Sequence, residues 1–275
     1  MTALTFTLRA EPQQRIDVSP LTPDALHGKT VAEIGSLPLQ TGNRQLPVDQ
    51  LFVIEGADTD TRKIIFKGAT AKLDFIGKGM SQGEIEVHGD AGSYLGMQMK
   101  GGHIIARGSI DAYGACELRN GTLVIHGNAG DFLGACLPGN KKGMAGGVVI
   151  VKGDVADRAG DHMRRGAILI EGNTGDYLGS RMTAGTIAVL GKTGRHIGYG
   201  MGRGTLLLAQ APAEMPPTFN DCGTHTLGFI PLLLKGFSGL DTPFADMSES
   251  LKRVQRHAGD MCGLGKGEIL VAAGQ

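Results

Sequence analysis

The chain has 275 residues, with 27 basic and 27 acidic side chains and a formal net charge of zero. A neutral chain has no general attraction for nucleic acid or an anionic membrane surface. Its longest apolar run is far short of the ~18 residues that span a bilayer. Glycine is the outlier, 45 residues of 275, about 16% against an ordinary ~7%. The glycines follow no three-residue period, so they are not collagen-like, and the interleaved apolar residues exclude a flexible linker. The N-terminal "MTALTFTLRAEPQQR" lacks an apolar signal core, so a soluble, cytoplasmic chain is expected. Cys116, Cys136, Cys222 and Cys262 form no C-x-x-C pair, which argues against a zinc ribbon or an iron–sulfur cluster and for reduced thiols.

In chain order, residues 1–60 read as an N-terminal cap or docking segment. A short helix is predicted after Pro23 and Asp24, and "DQLFVIEG" reads as a strand. "KIIFKGATAKLDFIGKGM" (63–80) is a degenerate copy of the repeat that follows. In that repeat a glycine opens each apolar run, at Gly83, Gly102, Gly121, Gly147, Gly166, Gly185 and Gly204. The steps are 19, 19, 26, 19, 19 and 19, and the one long step contains the insertion "LPGNKKG".

The columns of this repeat define its shape. Two residues after the opening glycine stand Ile85, Ile104, Leu123, Val149, Ile168, Ile187 and Leu206; four after it stand Val87, Ala106, Ile125, Val151, Ile170, Val189 and Leu208. Both columns are apolar throughout, and their spacing is the strand period with one face buried. Three residues before the glycine runs a column of Met80, Met99, Leu118, Met144, Met163, Met182 and Met201. Twelve after it stand Leu95, Gly114, Leu133, Ala159, Leu178 and Ile197. Tyr94, Tyr113, Phe132 and Tyr177 share a further column and predict a stack of rings. One strand per copy, with apolar groups also pointing inward from its other sides, predicts an all-β fold: a right-handed parallel β-helix of ~19-residue coils over residues 61–209. The period fits neither hexapeptide nor calcium-binding nonapeptide helices.

After Leu208, "AQAPAEMPPTFN" interrupts the pattern with three prolines. Residues 210–275 read as a C-terminal cap or docking segment, with the apolar stretch "LGFIPLLLKGF" and a short amphipathic helix predicted in "SESLKRVQRHAG" (248–259).

The search for chemistry returns no catalytic residue, no metal ligand set and no identifiable cofactor-binding residue. "GKT" occurs at Gly28 and Gly191, but Pro23 and Thr186 stand where a phosphate loop needs its first glycine. His88 and His126 share a column but lie two copies apart, with Arg107 between them. Asp131, Asp157 and Asp176 align as turn residues beside glycines. Lys100, Arg119, Arg164, Arg165 and Arg203 fall just before opening glycines, with Lys141, Lys142 and Arg181 nearby. They predict a basic edge that could meet an acidic partner or a polyanionic carrier.

The spacing G-x-x-G-x-x-x-G is complete at Gly89/Gly92/Gly96, Gly127/Gly130/Gly134, Gly172/Gly175/Gly179 and Gly191/Gly194/Gly198. It resembles the GXGXG domain family, which includes the C-terminal domain of the glutamate synthase large subunit and the C subunit of formylmethanofuran dehydrogenase. "GKTVAEIGSLPL", "GNRQLPVDQLFVIEG" and "PTFNDC" favour the latter, and within it the chain resembles the C subunit of bacterial formyltransferase/hydrolase complexes. The resemblance implies a non-catalytic structural subunit in one-carbon metabolism. The complex would transfer formyl between tetrahydromethanopterin and a methanofuran-type carrier and release formate. Catalysis, the carrier and any metals would belong to sister subunits, with no cofactor bound by this chain. Two alternatives are a C subunit of a molybdenum or tungsten formylmethanofuran dehydrogenase, and a glutamate synthase-like GXGXG protein. Asp111, Ala115 and Ala156 stand where the motif has glycine, so its glycines are expected to shape corners rather than bind phosphate.

Overall fold

A computed structural model of the chain describes residues 3–56 and 62–273; the expected boundary at 60/61 lies outside the described residues. The fold is mostly β, with few short helices and one large mixed sheet of 13 strands. Seven of these strands are the apolar runs of the repeat: Glu84–Gly89, His103–Ala106, Thr122–Ile125, Ala145–Val151, Arg165–Ile170, Thr186–Val189 and Arg203–Leu208. Each pairs in parallel with the strand of the next copy, and equivalent residues face each other: Ile85↔Ile104, Ile104↔Leu123, Leu123↔Val149, Val149↔Ile168, Ile168↔Ile187 and Ile187↔Leu206.

Successive copies also meet at two other places. Isolated parallel bridges run Ala91↔Ile110↔Ala129↔Val155↔Thr174. A third line of amides reaches the preceding copy, as in Ala115 N to Leu95 O at 2.7 Å and Gly179 N to Ala159 O at 2.8 Å. Backbone groups that would be orphaned in a single copy are satisfied by its neighbours. The two strand columns are fully buried, as are the methionine column and Leu95, Leu133, Leu178 and Ile197. All belong to one continuous apolar cluster.

The flanks extend this sheet at both ends. Leu4–Leu8 pairs in parallel with Lys63–Ala69, and Phe52–Glu55 closes that end antiparallel. Phe6, Phe52 and Phe66 pack there with ring centroids 5.4–6.0 Å apart. At the other end Lys266–Ala272 continues the register, with Leu206↔Ile269 and Leu208↔Val271, so a distant segment supplies one more rung of the same two columns. Val254–Gly259 and Asn220–His225 then finish the edge antiparallel. An uncovered sheet edge invites pairing with other chains, and here the tails occupy both.

The predicted helix at 248–259 is not formed: Val254–Gly259 is a strand, hydrogen-bonded on both sides. Lys266–Ala272 offers unpaired backbone groups, and pairing with them outweighs a marginal helical preference. The C-terminal helix lies instead at Phe229–Lys235, inside the apolar stretch. Near the N-terminus, Pro23–Leu26 is helical as expected, with Thr22 capping it. Val31–Gly35 adds a second helix, closed by a Thr30–Glu33 capping box. Among the described residues no helix is long and apolar enough to cross a membrane.

The outward face of the sheet changes along its length. Three residues after the opening glycine stand Glu86, Ile105, Val124, Ile150, Leu169, Ala188 and Leu207, polar at the start and apolar after. From Val124 onward this column is buried in a second apolar cluster with Ile230, Leu234, Phe237, Phe244, Leu251 and Val254. The C-terminal segment therefore folds back over the later copies.

Candidate functional site

The glycine corners are built from two ladders of short polar side chains. In one, Asp90, Ser109, Asn128, Asp154 and Asn173 each accept a hydrogen bond from a backbone amide of the next copy, at 2.7–3.0 Å. In the other, Asp131 accepts from Asp157 N, Asp157 from Asp176 N and Asp176 from Arg195 N, at 2.7–2.9 Å. The aligned aspartates are thus structural acceptors, each spent on the copy above. Such close stacking leaves no room for a Cβ: one on Gly172 would lie 2.4 Å from Gly153 O.

The ring column is longer than four residues. Phe75, Tyr94, Tyr113 and Phe132 stack directly, with centroids 4.7–5.2 Å apart and planes within 15°. Tyr177 does not touch Phe132. Arg158 stands between them, its guanidinium 5.9 Å from the Phe132 ring and 4.4 Å from the Tyr177 ring, and His196 stacks on Tyr177 at 4.9 Å. All seven residues have φ between 57° and 65°. That left-handed conformation costs side-chain-bearing residues ~1 kcal/mol or more. Ring stacking and the Arg158 contacts, each worth ~0.5–1.5 kcal/mol, offset it. The 19-residue period places Arg158 and His196 in this column, but their side chains do not announce a ring stack.

The titratable groups that come together are engaged with one another. His88 Nε2 lies 3.1 Å from Glu86 Oε1, Arg107 donates to that same carboxylate, and Arg107 Nη1 lies 3.3 Å from His126 Nε2. The Arg107 hydrogen bond is the main force holding Glu86 down at about 2. Three metal-capable side chains, Cys136, Asp161 and His162, bring donor atoms within 4.8 Å of one another. Asp161 is already committed, its two oxygens to Arg181 at 2.9 and 2.8 Å and one of them also to Ser180 at 2.6 Å. Burial pushes the Cys136 thiol up, and that of Cys116 up to about 12. Cys136 lies one copy from the other two across the long insertion, so sequence spacing does not reveal the cluster.

The basic edge is assembled as the register predicts. Lys100, Arg119, Ala145 and Arg164 hold equivalent positions in successive copies, with Arg165 opposite Ala145 and Arg203 opposite Lys266. Lys141 and Lys142 stand over the gap at Ala145. A cleft of about 520 Å³ lies between Arg119, Lys141, Lys142 and Ala145; a second, of about 470 Å³, opens over Ala145, Thr183 and Ala184 beside Arg164 and Arg165. Arg181 is not part of this edge, being paired with Asp161. A third cleft, about 530 Å³, lies at the far end of the repeat between His196, Tyr199, Pro216, Asp260 and Cys262. Tyr199, Met261 and Leu264 at that end and Leu232 on the C-terminal helix are exposed.

A stack of glycine-cornered copies in one register defines the class of repeat, and sequence comparison gives it a family. The GXGXG motif model matches residues 45–223, and the chain belongs to that family. Among solved structures, the formyltransferase/hydrolase complex FhcABCD from Methylorubrum extorquens in complex with methylofuran contains a similar chain. The two share 38% identity and a TM-score of 0.92 over 98% of this chain and 100% of that one. Among curated proteins the chain is similar to the C subunit of the formyltransferase/hydrolase complex Fhc of M. extorquens, at 39% identity over 91 residues, 33% of this chain and 34% of that one. It is also similar to the C subunit of tungsten-containing formylmethanofuran dehydrogenase 2 of Methanococcus maripaludis, at 29% over 95 residues, 34% of this chain and 35% of that one. These two alignments span about a third of each curated relative.

Proposed function

We propose that the chain is the C subunit of a cytoplasmic formyltransferase/hydrolase complex. In that complex formyl moves between tetrahydromethanopterin and a methanofuran-type carrier and is hydrolysed to formate. The observation that carries this reading is the end-to-end match to a chain of the FhcABCD complex, at 38% identity and TM-score 0.92. The chain acts as a scaffold, without an active site or resident cofactor, and the carrier and any metals sit on sister subunits. Support comes from the commitment of its clustered acids and of His126 to hydrogen bonds and ion pairs that hold copies together. Residues 61–209 form a right-handed parallel β-helix, with 1–60 and 210–275 as its caps. Three lines of contact between consecutive copies and one continuous interior support that geometry.

The C subunits of molybdenum- and tungsten-containing formylmethanofuran dehydrogenases among the relatives keep a redox complex as the second reading. One experiment separates the two. The tagged chain is purified from its native host, the co-purifying chains are identified by mass spectrometry, and the assembly is assayed for formyl transfer, formate release, molybdenum and tungsten. Formyl transfer without either metal is expected. A chain recovered alone and monomeric refutes the subunit reading.

A further inference from the structure

The basic edge is absent from the work of the fold. Several cations elsewhere on the molecule are paired: Arg15 with Asp74 and Asp111, Lys63 with Glu84, Lys152 with Glu171, Arg181 with Asp161, Arg256 with Glu268. Among the described residues, Lys100, Arg119, Lys141, Lys142, Arg164, Arg165, Arg203 and Lys266 form no ion pair and no side-chain hydrogen bond, and all are exposed. Glu117 is the one acid lining the clefts, and its carboxylate is held by Asn140 and Gln98.

Like charges on neighbouring rungs, ~4.8 Å apart, repel one another. In a chain of net charge zero, concentrating eight cations along one edge costs stability unless something outside the chain neutralises them. The edge also has a shape. Ala145 interrupts the long side chains and lines both clefts, with Arg119 and the insertion lysines on one side and Arg164 and Arg165 on the other; Thr183 and Ala184 line the second cleft beyond those arginines. From Lys100 to Arg203 is five rungs, about 24 Å at ~4.8 Å each, the length of about seven residues of extended chain.

We infer that this edge docks an extended, carboxylate-rich segment of a sister subunit, lying along the rungs over Ala145 with its acids against the arginines and lysines. The inference rests on the subunit reading above and names the chemistry of one of its interfaces. An acidic protein segment fits better than nucleic acid: the strip is narrow, and the neutral molecule around it supplies no broad field to hold a polyphosphate. Arginine forks bind carboxylates in pairs, whereas the lysines contribute charge without fixed geometry.

The test uses the native complex. The paired substitution Arg164→Glu, Arg165→Glu is compared with Lys192→Glu, which reverses an exposed cation away from the edge. Recovery of sister chains with the tagged subunit is measured across a salt series, beside the melting temperature of each variant. The paired variant is expected to recover sister chains at least tenfold less well at 0.15 M salt with its melting temperature within a few degrees of the parent, and Lys192→Glu to recover them fully. In parallel, zero-length carbodiimide coupling of the unaltered complex is expected to join Lys141 or Lys142 to an Asp- or Glu-containing peptide of a sister subunit. This arm stands even where the variant fails to fold. Full recovery with the paired variant, or coupling from these lysines only to this chain's own acids, overturns the inference and leaves the subunit reading in place. Unaltered chain that recovers no sister subunits overturns both.

Discussion

Gly172 and Gly175 occupy one corner, and substituting each by alanine separates two reasons for glycine. Neither requires a left-handed backbone; each faces the copy below. A Cβ on Gly172 would sit 2.4 Å from Gly153 O and 2.6 Å from Gly153 C, with Asp154 Oδ1 at 2.5 Å. The nearest atom is backbone, and that same carbonyl accepts the Gly172 amide at 3.2 Å. Relief to ordinary contact needs the copies to part by most of an ångström, weakening the ladders on either side. Overpacking of that kind costs ~1–3 kcal/mol, and the lost backbone bond adds ~1 kcal/mol, giving about 3 kcal/mol. A Cβ on Gly175 would meet Asp157 Oδ1 at 2.1 Å, a side-chain atom, with backbone no nearer than 2.9 Å. Ala156 shows that this can be accommodated: it holds the same position one copy earlier, while Asp131 still accepts from Asp157 N at 2.9 Å. Gly175→Ala is therefore expected to cost about 1 kcal/mol, the order of one strained hydrogen bond. At ~2–4 °C per kcal/mol for a chain of this size, the melting temperature should fall by about 6–12 °C for Gly172→Ala and ~2–4 °C for Gly175→Ala, read by calorimetry on the purified chain. Equal losses, or a larger loss at Gly175, refute the distinction between backbone and side-chain crowding.

Arg15 joins the N-terminal segment to Asp74 and Asp111. Arg15→Ala should speed proteolysis within residues 3–30 several-fold while leaving cleavage elsewhere unchanged. The Glu86 carboxyl, held at about 2 chiefly by Arg107, sits below its ordinary 4.5. A depressed acid stabilises the folded state above about pH 4.5 and loses that contribution as pH falls toward 2. The melting temperatures of parent and Glu86→Gln should accordingly differ at pH 7 and converge near pH 2. Cys116, at about 12, holds roughly one thiolate in ten thousand at pH 8. An alkylating reagent should modify the exposed Cys222 and Cys262 and leave Cys116 untouched until the chain unfolds.

The period makes most of the architecture legible. Seven opening glycines in register define the strands, their order and their pairing, because a column buried in one copy must be buried in all. The same period holds two signals that single columns hide. Asp90, Ser109, Asn128, Asp154 and Asn173 recur after the closing glycines, and their role as amide acceptors follows once copies are stacked. The outward column running from Glu86 to Leu207 loses its polarity by the second copy, the mark of a covered face. Other features lie beyond the period. Val254–Gly259 is a strand only because Lys266–Ala272, itself seated on the distant strand Arg203–Leu208, leaves an edge open, and no local propensity carries that information. Cys136 reaches Asp161 and His162 across the insertion, where the register itself is broken.

Asp111 joins the corner geometry to the assembly of the whole chain. It replaces the middle glycine of its copy, and its side chain is where Arg15 docks. Burial raises that carboxyl, but the Ala112 amide and Arg15 outweigh it and hold Asp111 below the ordinary aspartate range. A departure from the glycine pattern is thus the point at which the flank is fastened to the repeat. The same logic separates the molecule's faces. The ends of the sheet are closed by the chain's own strands, the later copies are covered by its own helix and apolar tail, and the corners are filled by ladders of acids and rings. The Lys100–Arg203 edge is satisfied by none of these devices. A chain that completes its own edges so thoroughly has no folding reason to gather eight unpaired cations on one of them, which is why that edge, rather than any cleft near the cysteines, is where a partner is expected to bind.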